Sequence, residues 1–167
     1  PVLAEAEQKL NTERRMGEAV GKAGNVVLPM LFRLGEPRGR PDSPLPEFIK
    51  KNGISQVEKG EDPPLLTSDV EVPVVEILGL KAVAIGHLNV NPDIDGGIRT
   101  EPLVLAHFNE IYPALSLMIA AKSLNLGVAD IKVKLGDSVR LGNLKIGTDP
   151  AMQMNTFFYK DRDGKPA

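Results

Sequence analysis

A chain with no cysteine and only two histidines has few ways to do chemistry, and most of them fall in one stretch, Val83 to Phe108. Within it, Asn91, Asp93, Asp95 and Gly96 follow the N-x-D-x-D-G spacing that opens an EF-hand calcium loop. In such a loop alternate side-chain oxygens converge on one hard cation. The loop also needs a bidentate glutamate at position twelve. Counting from Asn91 puts Pro102 there, with Glu101 one residue off, and the flanks have strand rather than helix character. The same residues suit a plain turn, because Asn and Asp bond their own backbone and Gly96-Gly97 tolerates positive φ. The turn is the favoured assignment, and no metal site is expected.

His87 and His107 are chemically versatile as ligand contacts, proton acceptors or metal ligands. Neither has a second histidine at helical spacing, an H-E-x-x-H context or a cysteine partner, which favours hydrogen-bonded structural roles. Arg99 follows the acidic turn, where an ion pair with Asp93 or Asp95 competes with binding of an anionic ligand. The other cations that stand together, Arg33, Arg38 and Arg40, read as solvated loop charges rather than an anion site. Signatures of catalysis are missing: there is no G-x-S-x-G elbow, no P-loop and no G-x-G-x-x-G after a strand. Gly17, Gly21 and Gly24 have the wrong spacing for a nucleotide fingerprint, and the pair Glu71/Glu76 is too commonplace to mark acid–base work. We expect no catalytic residue and no cofactor.

The elements that must position these side chains are legible from periodicity. Val83–Val90 alternates, with Val83, Ile85, His87 and Asn89 on one face and Ala84, Gly86, Leu88 and Val90 on the other. Asn91-Pro92-Asp93 breaks the run and Ile98–Phe108 resumes it, which predicts a hairpin. Upstream, Val2 to about Ala23 reads as an amphipathic helix on Leu3, Ala6, Leu10, Val20 and Ala23, with Asn11-Thr12 as an interruption or new cap and Gly24 as its stop. Asn25–Phe32 is an apolar run suited to a strand covered on both faces, with Pro29 marking a bulge or an edge. Residues 35–69 are rich in proline and read as a long surface connection with a short helix near Pro46–Lys51. A further short helix is expected at Val74–Leu80. Tyr112–Leu124 is predicted to be a helix with Pro113 in its first turn, an apolar stripe of Leu115, Met118 and Ile119, and Gly127 closing it. Strands are expected at Ile131–Leu135, Val139–Ile146 and Met152–Tyr159. The fold class is therefore mixed α/β, an antiparallel or mixed sheet with helices packed on it, in one domain spanning residues 1–167.

Composition sets the outer bounds. A chain of 167 residues with 42% hydrophobic and 25% charged residues suits one globular domain. A net charge of −2 gives no general attraction to nucleic acid or an anionic surface, and 4% aromatic residues argue against base-stacking platforms. No run approaches the roughly 18 apolar residues of a membrane span. The first residue is proline and no signal-peptide pattern precedes it, so the chain reads as an excised piece of a longer protein.

The residues also carry a family resemblance. L-A-E-A (Leu3–Ala6), A-G-N-V-V-L-P (Ala23–Pro29), the run Gly86–Leu105 and Y-P-A-L-S-L (Tyr112–Leu117) keep an order that resembles the second type of CHASE domain. The family pattern G-H-x-N-x-x-P-D-x-D-G-x-x-R-x-x-P-L is met throughout Gly86–Leu103. The segment Leu144–Asn155 is similar to a closing I-P-T-D motif, with Gly147 and Pro150 as departures. The resemblance runs from Ala19 to Phe158. The family's N-terminal strand–helix–strand portion is not recognised, and the proline-rich stretch 35–69 is atypical.

The resemblance implies an extracytoplasmic, non-catalytic sensory module of a bacterial receptor. Membrane spans would lie elsewhere in the full-length protein, together with a cyclase, histidine kinase or serine/threonine kinase output. The expected partners are an undefined small-molecule or protein signal and a second copy in a homodimer. Recognition is expected at His87, Asn89, Asn91, Asp93, Asp95 and Arg99, which cluster at the central turn. Two other classes stay open: a structural or interaction domain without a small-molecule ligand, and a soluble hydrolase-like enzyme.

Overall fold

The computed structural model describes residues 11–39, 44–60 and 62–157. Helix α1, Thr12–Ala23, starts where Asn11 accepts a hydrogen bond from the Arg14 amide (2.9 Å) and stops at Gly24 in the left-handed region. Asn11 therefore caps a helix, and Leu3, Ala6 and Leu10 lie outside the described residues. Gly17 and Gly21 serve close approach rather than nucleotide binding, Gly17 to Ile77 and Gly21 to the Lys81 side chain. A Cβ at Gly17 would lie 3.1 Å from the Ile77 carbonyl oxygen.

Strand β1 (Val27–Leu34), helix α2 (Glu47–Lys50), β2 (Gln56–Glu58), β3 (Leu66–Val72) and helix α3 (Glu76–Gly79) follow. The short helices near 46–51 and 74–80 are as expected, but the proline-rich stretch is more than a surface connection. It supplies strand β2 and the start of β3, and its Phe48, Ile49 and Ile54 are buried. Those three apolar side chains outweigh the proline content around them, because each gains by leaving water.

The central stretch forms β4 (Ala84–His87), β5 (Thr100–Pro102) and β6 (Val104–His107). It is not a hairpin. Strand β4 runs parallel to β1, pairing Met30 with His87, whereas β6 runs parallel to β3 and antiparallel to β7 (Glu110–Pro113). The turn is real, but its two arms enter different neighbourhoods. Next comes helix α4, Leu115–Ser123, shorter than expected because Tyr112 and Pro113 belong to β7. Proline is tolerated there because β7 ends the strand order. Helix α4 buries Leu117, Met118 and Ala121, while Ile119 is half exposed. Asn125, at φ 58°, supplies the left-handed stop expected of Gly127.

After a 3₁₀ turn at Val128–Asp130 come β8 (Ile131–Lys134), β9 (Ser138–Leu141), β10 (Leu144–Gly147) and β11 (Gln153–Asn155). The expected single strand Val139–Ile146 is thus a tight β9–β10 hairpin with Gly142 at φ 57°. Phe158 and Tyr159 lie outside the described residues, as does Arg40.

The fold is mixed α/β, as expected, in three sheets: β4-β1-β3-β6-β7, β10-β9-β8-β2 and β11-β5. In the five-stranded sheet β4 and β7 stand at opposite ends, yet His87 bridges to Ala114, just after β7. Asn52 accepts from the Ile85 amide (2.9 Å) and the Ile54 amide donates to Ile111 (2.8 Å). The sheet therefore curls back on itself, and residues 52–54 line the seam. Met30, Phe32, Ile85, Leu105 and Tyr112 pack inside it, with Phe48 and Ile49 as the plug. Outside, Ala84, Val104 and Ala114 pack with helix α4 and the inner face of the four-stranded sheet, Ile131, Val133, Val139 and Leu141. Pro29 is exposed on β1 where only β4 is paired to it, since the β3 register begins at Leu31.

Candidate functional site

The expected recognition residues separate into an inner pair and an outer group. His87 follows Ile85 by two positions and shares its inward face, as the alternation predicts. It is only 2% exposed, and neither ring nitrogen has a hydrogen-bond partner. Burial drives its pKa down to about 3, so the imidazole is neutral at physiological pH. Beyond the end of β4, Asn89 turns to β1. Its side-chain oxygen accepts from the Phe32 amide (3.0 Å) and its nitrogen donates to the Phe32 carbonyl (2.6 Å).

Asn91 donates to the Gln153 side chain at 3.0 Å, and the Thr100 hydroxyl donates to the same oxygen at 3.2 Å. Gln153 is itself held by Asp149. This network docks the loop on the β5–β11 sheet, where the Thr156 amide also donates to Arg99.

At the loop's tip, Arg99 grips Asp95 through two parallel bonds of 2.7 and 2.8 Å and reaches Asp93 at 2.7 Å. The fork geometry is the one by which guanidinium recognises a carboxylate. The Arg99 contact, helped by the Gly97 amide, lowers the Asp95 pKa to about 2. The same pairs keep Arg99 firmly charged. The ion pair anticipated from spacing is present. Both carboxylates are occupied by Arg99, and among the described residues no group of three or more metal-ligating side chains converges. Ile94, at the same tip, is fully exposed.

His107 was recognised in the sequence but not grouped with the others. It lies in β6 facing Thr67 of β3, with its Nδ1 2.9 Å from the Thr67 hydroxyl. Its ring stacks at 5.0 Å on Phe32 and meets Phe108 edge-on at 4.9 Å. Burial lowers its pKa, an effect partly offset by Glu110 and Asp69. One side of it opens to a cleft of about 380 Å³ shared with Leu45, Lys50, Phe108 and Glu110. That cleft had no signal in the sequence, because its walls come from segments some 60 residues apart.

The loop residues are hydrogen-bonded to β1 through Asn89, to β11 through Asn91 and to one another through Arg99. In comparisons with known proteins, a family model described as the CHASE2 domain matches residues 2–164, a range that includes the proline-rich stretch. No curated protein and no solved structure matches the chain.

Proposed function

The chain belongs to the CHASE2 domain family, and from that premise we propose that it is the input module of a transmembrane receptor with a cyclase or protein kinase output. CHASE2 domains are extracellular sensory domains associated with cyclases and kinases, and are sensory rather than catalytic in type. No helix among the described residues is long and apolar enough to cross a membrane. In this proposal the spans and the adenylate or guanylate cyclase, histidine kinase or serine/threonine kinase belong to other parts of the full-length protein, and two copies act together.

The element through which a signal acts is the loop from Leu88 to Arg99, carrying Asn91, Asp93, Asp95 and Arg99, with His87 and Asn89 as its root. What supports this is its double attachment. One end continues β4 into the curled sheet, while Asn91 is hydrogen-bonded to Gln153 of β11 and the Arg99 carbonyl accepts from the Thr156 amide just beyond it. A signal that bound one loop arrangement better than another would shift the balance between them, and only that difference transmits. The family match carries this proposal. Reading the complete gene tests it: apolar runs of about 20 residues should occur outside this segment, with Lys and Arg enriched on their cytoplasmic sides. In the full-length receptor, Arg99→Ala should then change output while the domain keeps its circular dichroism spectrum. A gene without spans, or an output indifferent to the loop, would overturn the proposal.

A further inference from the structure

The outward face of the four-stranded sheet carries a charge pattern that folding alone does not favour. Pairing sets Gln56 beside Lys132, Lys132 beside Arg140 and Arg140 beside Lys145. Three cations therefore stand in one row on adjacent strands, spaced by about 4.8 Å of strand separation. Like charges directly opposite one another destabilise a sheet. In the next row Lys134 faces Glu58 across the strand pair, and Lys145 is held by Asp137 at 3.2 Å. Lys132 and Arg140 make no ion pair among the described residues, although both are exposed. The face forms a cleft of about 530 Å³ in which four cations meet two carboxylates, on a chain whose net charge is −2.

We propose that this face, through Lys132, Arg140 and Lys145, is a binding site for a phosphate-bearing anion. The row spans roughly 10 Å over two strand spacings, and a monovalent anion would satisfy only one of Lys132 and Arg140, the two cations without a carboxylate partner among the described residues. A multiply charged phosphate group reaches more than one of them. Arg140 supplies the planar fork that matches phosphate oxygens, and the two lysines supply mobile point charges on either side. The cleft falls within the roughly 300–1,000 Å³ of small-ligand sites. Behind the row, Ile131, Val133, Val139 and Leu141 are buried, so the charges ride on a rigid support. The site is separate from the 88–99 loop, and the proposal goes beyond the sensory function without depending on it.

The experiment uses the chain itself, with thermal melting and titration calorimetry in a phosphate-free buffer. Sodium pyrophosphate is the probe, and sodium chloride at matched ionic strength is the reference. Pyrophosphate should raise the melting temperature saturably beyond the chloride effect. The double variant Lys132→Gln, Arg140→Gln should weaken pyrophosphate binding at least about tenfold, the loss of one charge-assisted hydrogen bond. Without pyrophosphate it should melt no lower than the native chain, since it sheds like-charge repulsion. Lys132→Arg should bind as the native chain does. A parallel arm measures co-sedimentation with phosphatidylglycerol vesicles against phosphatidylcholine vesicles. Binding in the pyrophosphate arm alone identifies a soluble phosphate. Binding to phosphatidylglycerol, lost in the double variant, identifies a lipid headgroup. Binding in neither arm, or binding unchanged in the double variant, overturns the proposal. Because the readout is binding by the isolated chain, its failure leaves the sensory function untouched, and the converse also holds.

Discussion

Asn89 satisfies both backbone groups of Phe32, 57 positions away, with one side-chain amide. It extends the β4–β1 ladder by a side chain where the backbone of β4 has already left the sheet. Asn89→Leu would leave the buried amide and carbonyl of Phe32 unpaired, at about 1–3 kcal/mol for each unsatisfied group. We expect a total loss of about 2–6 kcal/mol, and a melting temperature lower by roughly 2–4 °C per kcal/mol for a domain of this size. Urea denaturation measures it. A variant as stable as the native chain would show that the clamp is ornamental.

His87 gives the fold a pH dependence. In the folded chain its imidazole is neutral, with the pKa lowered by burial from 6.5 to about 3. The unfolded chain takes up a proton near pH 6.5, so falling pH favours unfolding. The stability present above pH 6.5 is lost as pH falls toward 3, at roughly 1.4 kcal/mol per pH unit. His107 shifts in the same direction, so it steepens the same window. The lowered carboxylates, Asp95 and Asp137, act in more acidic solution. Replacing His87 by Leu should therefore make the dependence of the urea midpoint on pH shallower between about pH 6 and 4. An unchanged slope would mean that the ring finds a partner in solution.

Much of this architecture could be read from the chain, and the failures share one cause. Asn11 and Gly24 mark the ends of α1 by local chemistry, and the alternation of Ile131 to Lys134 sorts inside from outside on its own. The Asp93–Arg99 turn was legible for the same reason, since its partners lie within six residues. Pairing is different. Nothing near His87 indicates that its strand partner is Met30, or that His107 opposes Thr67. The hairpin expectation used the turn to infer the pairing, but tertiary packing sent each arm to an older neighbour in the sequence. Pro113 misled in a related way, since a proline that suits the first turn of a helix also suits a terminal strand. The cation row shows the same limit: Lys132, Arg140 and Lys145 are ordinary until registers put them abreast.

Calcium should not stabilise this protein through the 91–95 turn. Arg99 already occupies both carboxylates, and the bidentate twelfth ligand of the loop pattern is replaced by Pro102. A ligand at a hundredfold above its dissociation constant would add roughly 2.7 kcal/mol, or a rise of several degrees at about 2–4 °C per kcal/mol. We expect no such rise in millimolar calcium. A rise of that order that disappears in Asp93→Ala would establish a cation site at the turn.

Gly86, within the family signature, sits hard against the start of helix α4. It pairs with Pro29 in the β4–β1 ladder, and its other face meets the start of helix α4. A Cβ built there would lie 2.6 Å from the Leu115 Cα and 2.7 Å from the Leu115 nitrogen. Those atoms are backbone, so no rotamer change relieves the overlap; the helix itself must move. Overpacking of this kind costs about 1–3 kcal/mol, and Gly86→Ala should fall within that range by urea denaturation. The displacement also has a direction, because moving α4 off β4 strains the bridge between His87 and Ala114 that closes the curled sheet. Hydrogen exchange should therefore quicken at Ala114 and Ile85 more than at Val133, which lies in the other sheet. If exchange rose equally at all three, the variant would be unstable as a whole, and Gly86 would owe its place to general packing rather than to the seam between β4 and β7.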